Sequence, residues 1–291
     1  MKASFPSLAV LSTVGMLALS SSSIAQLIGY DPFAIGAAPE NGEYTLGNLV
    51  GQDTSITSWA GPWAESFAAP SVQVLNTGLS YSNGSGTVAS TGGSVNLLGA
   101  PGSRDSRVLT TGFTNAFVGT VYMSFMIQLD DTSTTYRAFE LHQGTADDGN
   151  RKLQIGTGEQ GSPDFFVRLF NENNFGFYAD LGTSNTDVNF FVAKFVFGDT
   201  NDSDSLTLWL NPEDLGSEAG SVADYTKNTF NLEFNRTTFA AFSGSGGATW
   251  DEVRLGDTFE SVTTVPEPHT YALLATFGML VFLQRLRHRK A

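Results

Sequence analysis

Two clusters of oxygen-bearing side chains are the first places where this sequence offers chemistry. Asp199, Asn201, Asp202, Ser203 and Asp204 crowd one short segment, and Asp147, Asp148 and Asn150 crowd another just beyond His142. Carboxylate and amide oxygens at this density are the hard ligands that Ca2+ takes. Neither segment has the spacing of an EF-hand, and Asp and Asn are also the residues that turns select, so a calcium site and a solvated loop both stand as readings. Trp59 and Trp63 flank Ala60-Gly61-Pro62, a turn-forming stretch that can present two aromatic platforms to a sugar ring. Large aromatics also bury themselves by default, and core packing is the competing reading.

Nucleophilic and acid-base chemistry find less support. The chain has no cysteine, which excludes disulfides, thiol nucleophiles and thiolate-bound metals. Its histidines are His142, His269 and His288, so only His142 is available to a folded body, and it reads as a loop or edge residue following Leu141. Gly156-Thr157-Gly158-Glu159-Gln160-Gly161 matches the glycine string of dinucleotide sites. A phosphate cradle needs a helix to begin inside that string, and Pro163 and a strand-like run follow instead, so it reads as a hairpin loop. A glycosidase needs two carboxyl groups flanking one bond. The adjacent pairs Asp251-Glu252 and Asp130-Asp131 point to opposite faces of an ideal strand, and a Glu252 to Arg254 salt bridge on one face is the structural alternative. A non-enzymatic role is therefore expected, with a divergent glycoside hydrolase kept as the lesser alternative.

The elements that position these residues are strands. Period-two alternation runs through Val121 to Leu129, Arg137 to Leu141, Lys152 to Ile155, Asp164 to Phe170, Leu206 to Leu210 and Trp250 to Leu255, each bounded by Gly, Asn, Asp or Pro. Phe190 to Phe197 is apolar on both faces except for Lys194, as suits a central strand of a sandwich. No helical period with caps is evident in the body, and Asn211 to Tyr225 reads as a long loop with at most a short helical turn. The fold class expected is all-β, an antiparallel jelly-roll β-sandwich, and one domain of this size is ordinary for that class. Of 291 residues, 15% are charged, well below the roughly 25% usual in soluble domains, so Ser, Thr, Asn and Gly must supply much of the polar surface.

The two ends have a different character. Lys2, the apolar run Leu8 to Leu19 and Ser23-Ile24-Ala25 have the three regions of a secretory signal peptide, which places the leader at residues 1–25 and the body at 26–264. Residues 265–291 carry Pro266-Glu267-Pro268, an apolar stretch from Tyr271 to Leu283 and the basic tail Arg285, Arg287, His288, Arg289 and Lys290. This is a short hydrophobic helix with a basic stop that stays on the cytoplasmic side, and its length, about 13 residues, falls short of the ~20 of a full span. Between the two ends lie 28 acidic and 10 basic side chains, a formal charge of −18, which repels nucleic acid and anionic headgroups.

The C-terminal triplet, helix and basic tail in that order resemble the PEP-CTERM sorting signal. That resemblance implies export by a Gram-negative bacterium, membrane contact through the C-terminal helix before processing by an exosortase-type enzyme, and a setting rich in exopolysaccharide. The body resembles concanavalin A-like, LamG-like domains in Tyr30-Asp31-Pro32-Phe33, Gly78-Leu79-Ser80-Tyr81, Ser106-Arg107-Val108-Leu109, Leu206 to Pro212 and Trp250-Asp251-Glu252-Val253-Arg254-Leu255-Gly256. It implies a jelly roll of two antiparallel sheets, with the last segment a buried strand, that often binds glycans. The expectation is an exported, cell-surface or extracellular, carbohydrate-associated β-sandwich. A structural envelope or matrix component without a discrete ligand is the alternative.

Overall fold

The computed structural model describes residues 25–264, apart from 57, 68–71, 98–102, 115, 171–175, 201–202 and 243–245. The expected C-terminal helix and sorting signal, and all but the last residue of the expected leader, lie outside the described residues. In chain order the strands are β1 (Leu27–Asp31), β2 (Gly47–Asn48), β3 (Trp59–Phe67), β4 (Gln73–Leu75), β5 (Ser80–Asn83), β6 (Gly86–Ala89), β7 (Ser94–Leu97), β8 (Ser103–Phe113) and β9 (Gly119–Leu129). There follow β10 (Tyr136–His142), β11 (Arg151–Thr157), β12 (Phe165–Phe170), β13 (Gly176–Gly182), β14 (Val188–Phe197), β15 (Asp204–Leu210), β16 (Tyr225–Phe230), β17 (Phe234–Phe242) and β18 (Ala248–Gly256), and then one helix, α1 (Phe259–Thr263). They form a nine-stranded sheet in the order β16-β15-β14-β9-β18-β7-β4-β2 with β1 added along β18, a seven-stranded sheet β13-β12-β11-β10-β17-β8-β3, and a separate β5-β6 hairpin. The pairings within the sheets are antiparallel, and the all-β sandwich expected from the alternation is the fold of the chain.

Alternation decides what each strand buries. In β9, Val121, Met123, Phe125, Ile127 and Leu129 enter the core between the two sheets, where Phe125 stacks on Phe139 of β10 and Phe191 of β14 with centroids 4.6 and 5.3 Å apart. The other face of β9 turns Tyr122 and Met126 toward a second apolar cluster that also holds Tyr81, Phe190, Val192, Trp209, Phe259 and Val262. The β5-β6 hairpin, the 211–223 loop and α1 therefore cover the outer side of the nine-stranded sheet. This explains why β14 is apolar on both faces: Phe191, Ala193 and Phe195 face one cluster and Phe190 and Val192 the other. Lys194, the polar exception, leaves the apolar surface by reaching Glu218 at 2.8 Å.

The helix α1 has no counterpart among the sequence expectations. It is too short for a periodic signal, and it is held by a Thr258–Ser261 capping box and by insertion of Phe259 and Val262 into the second cluster. The segment 250–256 is a buried strand, as the resemblance implies, but strict alternation fails within it. A bulge between Asp251 and Arg254, with Glu252 at φ +55°, turns both carboxylates toward the segment around the hairpin. Asp251 accepts the Leu79 N–H at 2.7 Å, while Glu252 accepts the Thr91 N–H at 3.0 Å and the Tyr30 hydroxyl and forms a buried salt bridge with Arg254. Arg254 in turn donates to the carbonyls of Val262 and Thr264 and fixes α1.

Three buried aspartates give the fold a pH dependence. Desolvation pushes Asp31 up to about 6, Asp105 to about 7 and Asp251 to about 8. The folded chain thus holds these protons more tightly than the unfolded chain, and their contribution to stability is lost as pH rises from about 4 to about 8. The melting temperature should fall over pH 5 to 8 by on the order of 5 °C or more, and Asp251→Asn should flatten that slope. A melting temperature that rises across this range refutes the assignment.

A candidate binding face on the seven-stranded sheet

Among the described residues the outer side of the seven-stranded sheet carries no covering hairpin or α-helix, and its own side chains close it together with the 143–150 loop, whose Ala146 carbonyl accepts from Arg104. Strand β10 sets the pattern, because Phe139 and Leu141 point into the core and Tyr136, Glu140 and His142 point outward. Register places β11 and β17 on either side of β10, with Gln154 and Thr238 opposite Glu140 and Arg104 one strand further at β8. Glu140 is 0% exposed on this outward face, which is an unusual place to find a buried carboxylate. Its Oε2 meets Arg104 Nε at 2.8 Å and His142 Nε2 at 2.9 Å, while its Oε1 accepts from Tyr136 at 2.6 Å and Gln154 at 2.9 Å. Arg104 continues to Asp148 at 3.0 Å and lies over the Phe242 ring.

Burial alone drives the Glu140 carboxyl upward, but the His142 hydrogen bond, the Arg104 guanidinium and the Tyr136 hydroxyl outweigh it and hold the group at about 2. Glu140 is thus a fixed anion and a poor proton donor. The ionised Glu140 can only accept, so His142 Nε2 donates to it, and the buried Nδ1 on the other side of the ring has no partner among the described residues. Gln154 Oε1, Thr238 Oγ1 and the Nε atoms of Arg151 and Arg168 are buried on the same face with no hydrogen-bond partner among the described residues.

Aromatic rings run beside this network. Phe242, Tyr136, Phe166 and Tyr178 form a row with successive centroids 5.6, 6.1 and 5.8 Å apart. Tyr136 and Phe166 meet across β11, where Gly156 stands in the register. A Cβ at Gly156 would come within 1.9 Å of the Arg137 carbonyl, and Gly158 and Gly161 adopt left-handed φ of +83° and +76°. The glycine string is therefore the end of β11 and the β11-β12 hairpin loop expected of it, with Gly156 and Gly158 required by close approach of the backbone and Gly161 by its left-handed φ. Arg151 and Arg168 both lie over Phe170, at 4.9 and 4.7 Å from its centroid. A cleft of about 290 Å3 opens among Arg104, Tyr136, Asp148, Arg151, Glu159 and Phe242.

The residues singled out in the sequence are placed elsewhere. Trp59 and Trp63 are core residues, 4% and 2% exposed, and they do not form the sugar platform considered above. Trp63 stacks on Phe239 at 5.2 Å and donates to Tyr44, and Trp59 donates to Thr237, so alternation in β3 and these bonds turn both indoles inward. Asp204 is a buried clasp whose oxygens accept the N–H groups of Gly198 and Leu232 at 2.9 and 2.7 Å, and Asp199 is exposed. Asn201 and Asp202 lie outside the described residues, as do Pro266, Glu267, Pro268, Arg285, Arg287, Arg289 and Lys290. Among the described residues no three His, Asp or Glu side chains gather as metal ligands, and Asp147 caps a short turn by accepting from Asn150. His142 is a fully buried strand residue and not the loop or edge residue expected. The signal that could have found this face is the outward set of β10, where a Tyr, a Glu and a His share one side in a chain with so few charges.

The chain is thus an antiparallel two-sheet sandwich with one covered outer face and one open one. No known family matches its sequence, and no curated protein does. Solved structures with a similar course include the Emp47p carbohydrate recognition domain (TM-score 0.43, 11% identity, 73% of this chain and 94% of that one). Others are the T. cruzi calreticulin globular domain (0.42, 12%, 68% and 86%) and a carbohydrate esterase from the Shiga toxin-encoding bacteriophage phi24B (0.41, 12%, 67% and 90%).

Glu140 provides the test of the network. Glu140→Gln removes the buried carboxylate partner of the Arg104 guanidinium, whose other carboxylate, Asp148, is exposed to solvent, and unfolding in urea should register a loss of about 3 kcal/mol. Arg104→Met combined with Glu140→Leu should recover much of it, since apolar replacement of both partners removes the charges together. An unchanged urea midpoint for Glu140→Gln would show that the network contributes nothing.

Proposed function

We propose that this chain is an exported, non-catalytic glycan-binding sandwich, carried to the cell surface or extracellular matrix by its C-terminal signal, and that it holds sugar on the open face of the seven-stranded sheet. The observation that carries this reading is the cleft walled by the half-buried rings of Tyr136 and Phe242 beside Arg151, Asp148 and Glu159. A pyranose has an apolar face for a ring and a rim of hydroxyls for Arg151, Asp148 and Glu159, and a shallow cleft with few fixed polar groups suits such a ligand. Catalysis has less support. Glu140 is held ionised, which does not suit a general acid, and among the described residues no hydroxyl nucleophile is hydrogen-bonded to His142 Nδ1.

Binding of the purified chain to a polysaccharide panel, including polymer from the producing cells, tests the reading. Tyr136→Ala or Phe242→Ala should weaken binding roughly tenfold, the size of a lost ring contact. A folded protein that binds no polysaccharide overturns it and favours a matrix component without a discrete ligand.

The delivery route rests on the leader and on Pro266-Glu267-Pro268 with the tail beyond it. Among the described residues no helix is long and apolar enough to cross a membrane. Mass spectrometry of the protein recovered from outside its producing cells should find an N-terminus at Gln26 and the basic tail removed. An intact chain retained inside the cell counts against both export and exosortase-type processing.

A further inference from the structure

We propose that the chain holds a second site, for a neutral sugar, on the other side of the sandwich, so that one molecule bridges two stretches of polysaccharide. The inference rests on the reading that this chain binds glycans. A cleft of about 390 Å3 lies between β5 and the turn that leads into β14, lined by Ser80, Ser82, Asn185, Asp187, Asn189 and Asn211. Its polar groups are hydroxyls and amides with one carboxylate and no cation. The exposed Ser80, Ser82, Asn185 and Asp187 set hydroxyls, an amide and a carboxylate side by side, which is the chemistry that reads vicinal diols. Nothing in the lining compensates a uronate or a sulfate.

The site is built before any ligand arrives. Asn189 is 1% exposed, and its Nδ2 donates to Asn185 Oδ1 at 2.9 Å and to the Asp187 carbonyl at 2.8 Å. Its Oδ1 accepts from Asn211 Nδ2 at 2.9 Å, and Asn211 Oδ1 accepts the Phe190 N–H at 2.8 Å. This chain of amides runs from the end of β14 to the surface and locks the two loops together, which lowers the ordering cost of binding. The Asp187 side chain is exposed at the mouth.

Topology keeps this cleft apart from the first. Tyr81, between Ser80 and Ser82, stacks on Phe190 on the outer side of the nine-stranded sheet, whereas Tyr136 and Phe242 are on the outer side of the seven-stranded sheet. Both sheets, packed about 10 Å apart, stand between the clefts, so one pyranose cannot occupy both. Two sites on one module give avidity for a long polymer and a link between neighbouring chains.

Titration calorimetry of the full chain with a neutral β-glucan hexasaccharide and with a uronate hexasaccharide tests this. Two neutral hexasaccharides should bind per chain. Asp187→Ala, and Ser80→Trp which fills the cleft without removing a bond, should each reduce the ratio to one, and Tyr136→Ala should leave the second site occupied. Melting curves that match the wild type establish that the variants fold. A wild-type ratio of one, abolished by Tyr136→Ala and untouched by Asp187→Ala and Ser80→Trp, sinks the second site and leaves glycan binding at the first. Binding of the uronate in preference to the neutral sugar at the second site overturns the assigned ligand class, and no binding of either by the wild type overturns both sites.

Discussion

Glu140 is the point on which the open face depends. A carboxylate removed from water loses several kcal/mol of hydration, and it remains charged only when partners surround it. Here Arg104, His142, Tyr136 and Gln154 come from three strands and converge on its two oxygens. Each of those partners is thereby fixed in one rotamer on a face that, among the described residues, only the 143–150 loop overlies. A row of rings needs a rigid base to act as a platform, and Tyr136, which bonds Glu140 and touches both Phe242 and Phe166, joins the charge network to that row.

The contrast between the two outer faces follows from the same economy of apolar surface. The nine-stranded sheet turns Tyr122, Met126, Phe190, Val192 and Trp209 outward, and these require a lid of hairpin, loop and helix. The seven-stranded sheet turns out small, polar or charged residues in its middle strands, Ala138 and Glu140 in β10, Gln154 in β11, Thr238 and Ala240 in β17, which need none. Long side chains at the margin, Arg104, Arg151, Phe170 and Phe242, fold over the short ones and leave a cleft between them. The sandwich thus has its less covered side determined by which strands lack an apolar second face.

Strand existence was legible because period-two alternation in β9, β10, β12 and β15 is written directly in residue type, and β14 announced a two-sided environment through its unbroken apolar run. Sites were less legible, for two physical reasons. Residue type does not reveal direction: Trp59 and Trp63 look like platforms beside a Gly-Pro turn, and only the sheet partners Thr237, Tyr44 and Phe239 turn them inward. The charge network is also non-local, since Arg104 and Glu140 are brought together by β17 lying between β8 and β10. Local irregularity hid the rest, as with the bulge at Asp251 and Glu252, where one residue in the left-handed region cancels an inference from alternation.

The distribution of charge bears on what such a face can meet. Of the 10 basic side chains between residues 27 and 265, Arg104, Arg107, Arg137 and Arg254 are inside, each at most 1% exposed. Most of the others are paired: Arg151 with Asp148, Lys152 with Glu233, Arg168 with Glu159 and Lys194 with Glu218. The acidic side chains greatly outnumber these cations, and the field at the surface is negative. A polyanion approaching the chain is repelled over roughly a Debye length before any contact forms. A neutral, hydroxyl-rich polymer meets no such barrier, and only ring contacts and hydrogen bonds, which act at short range, would decide whether it stays.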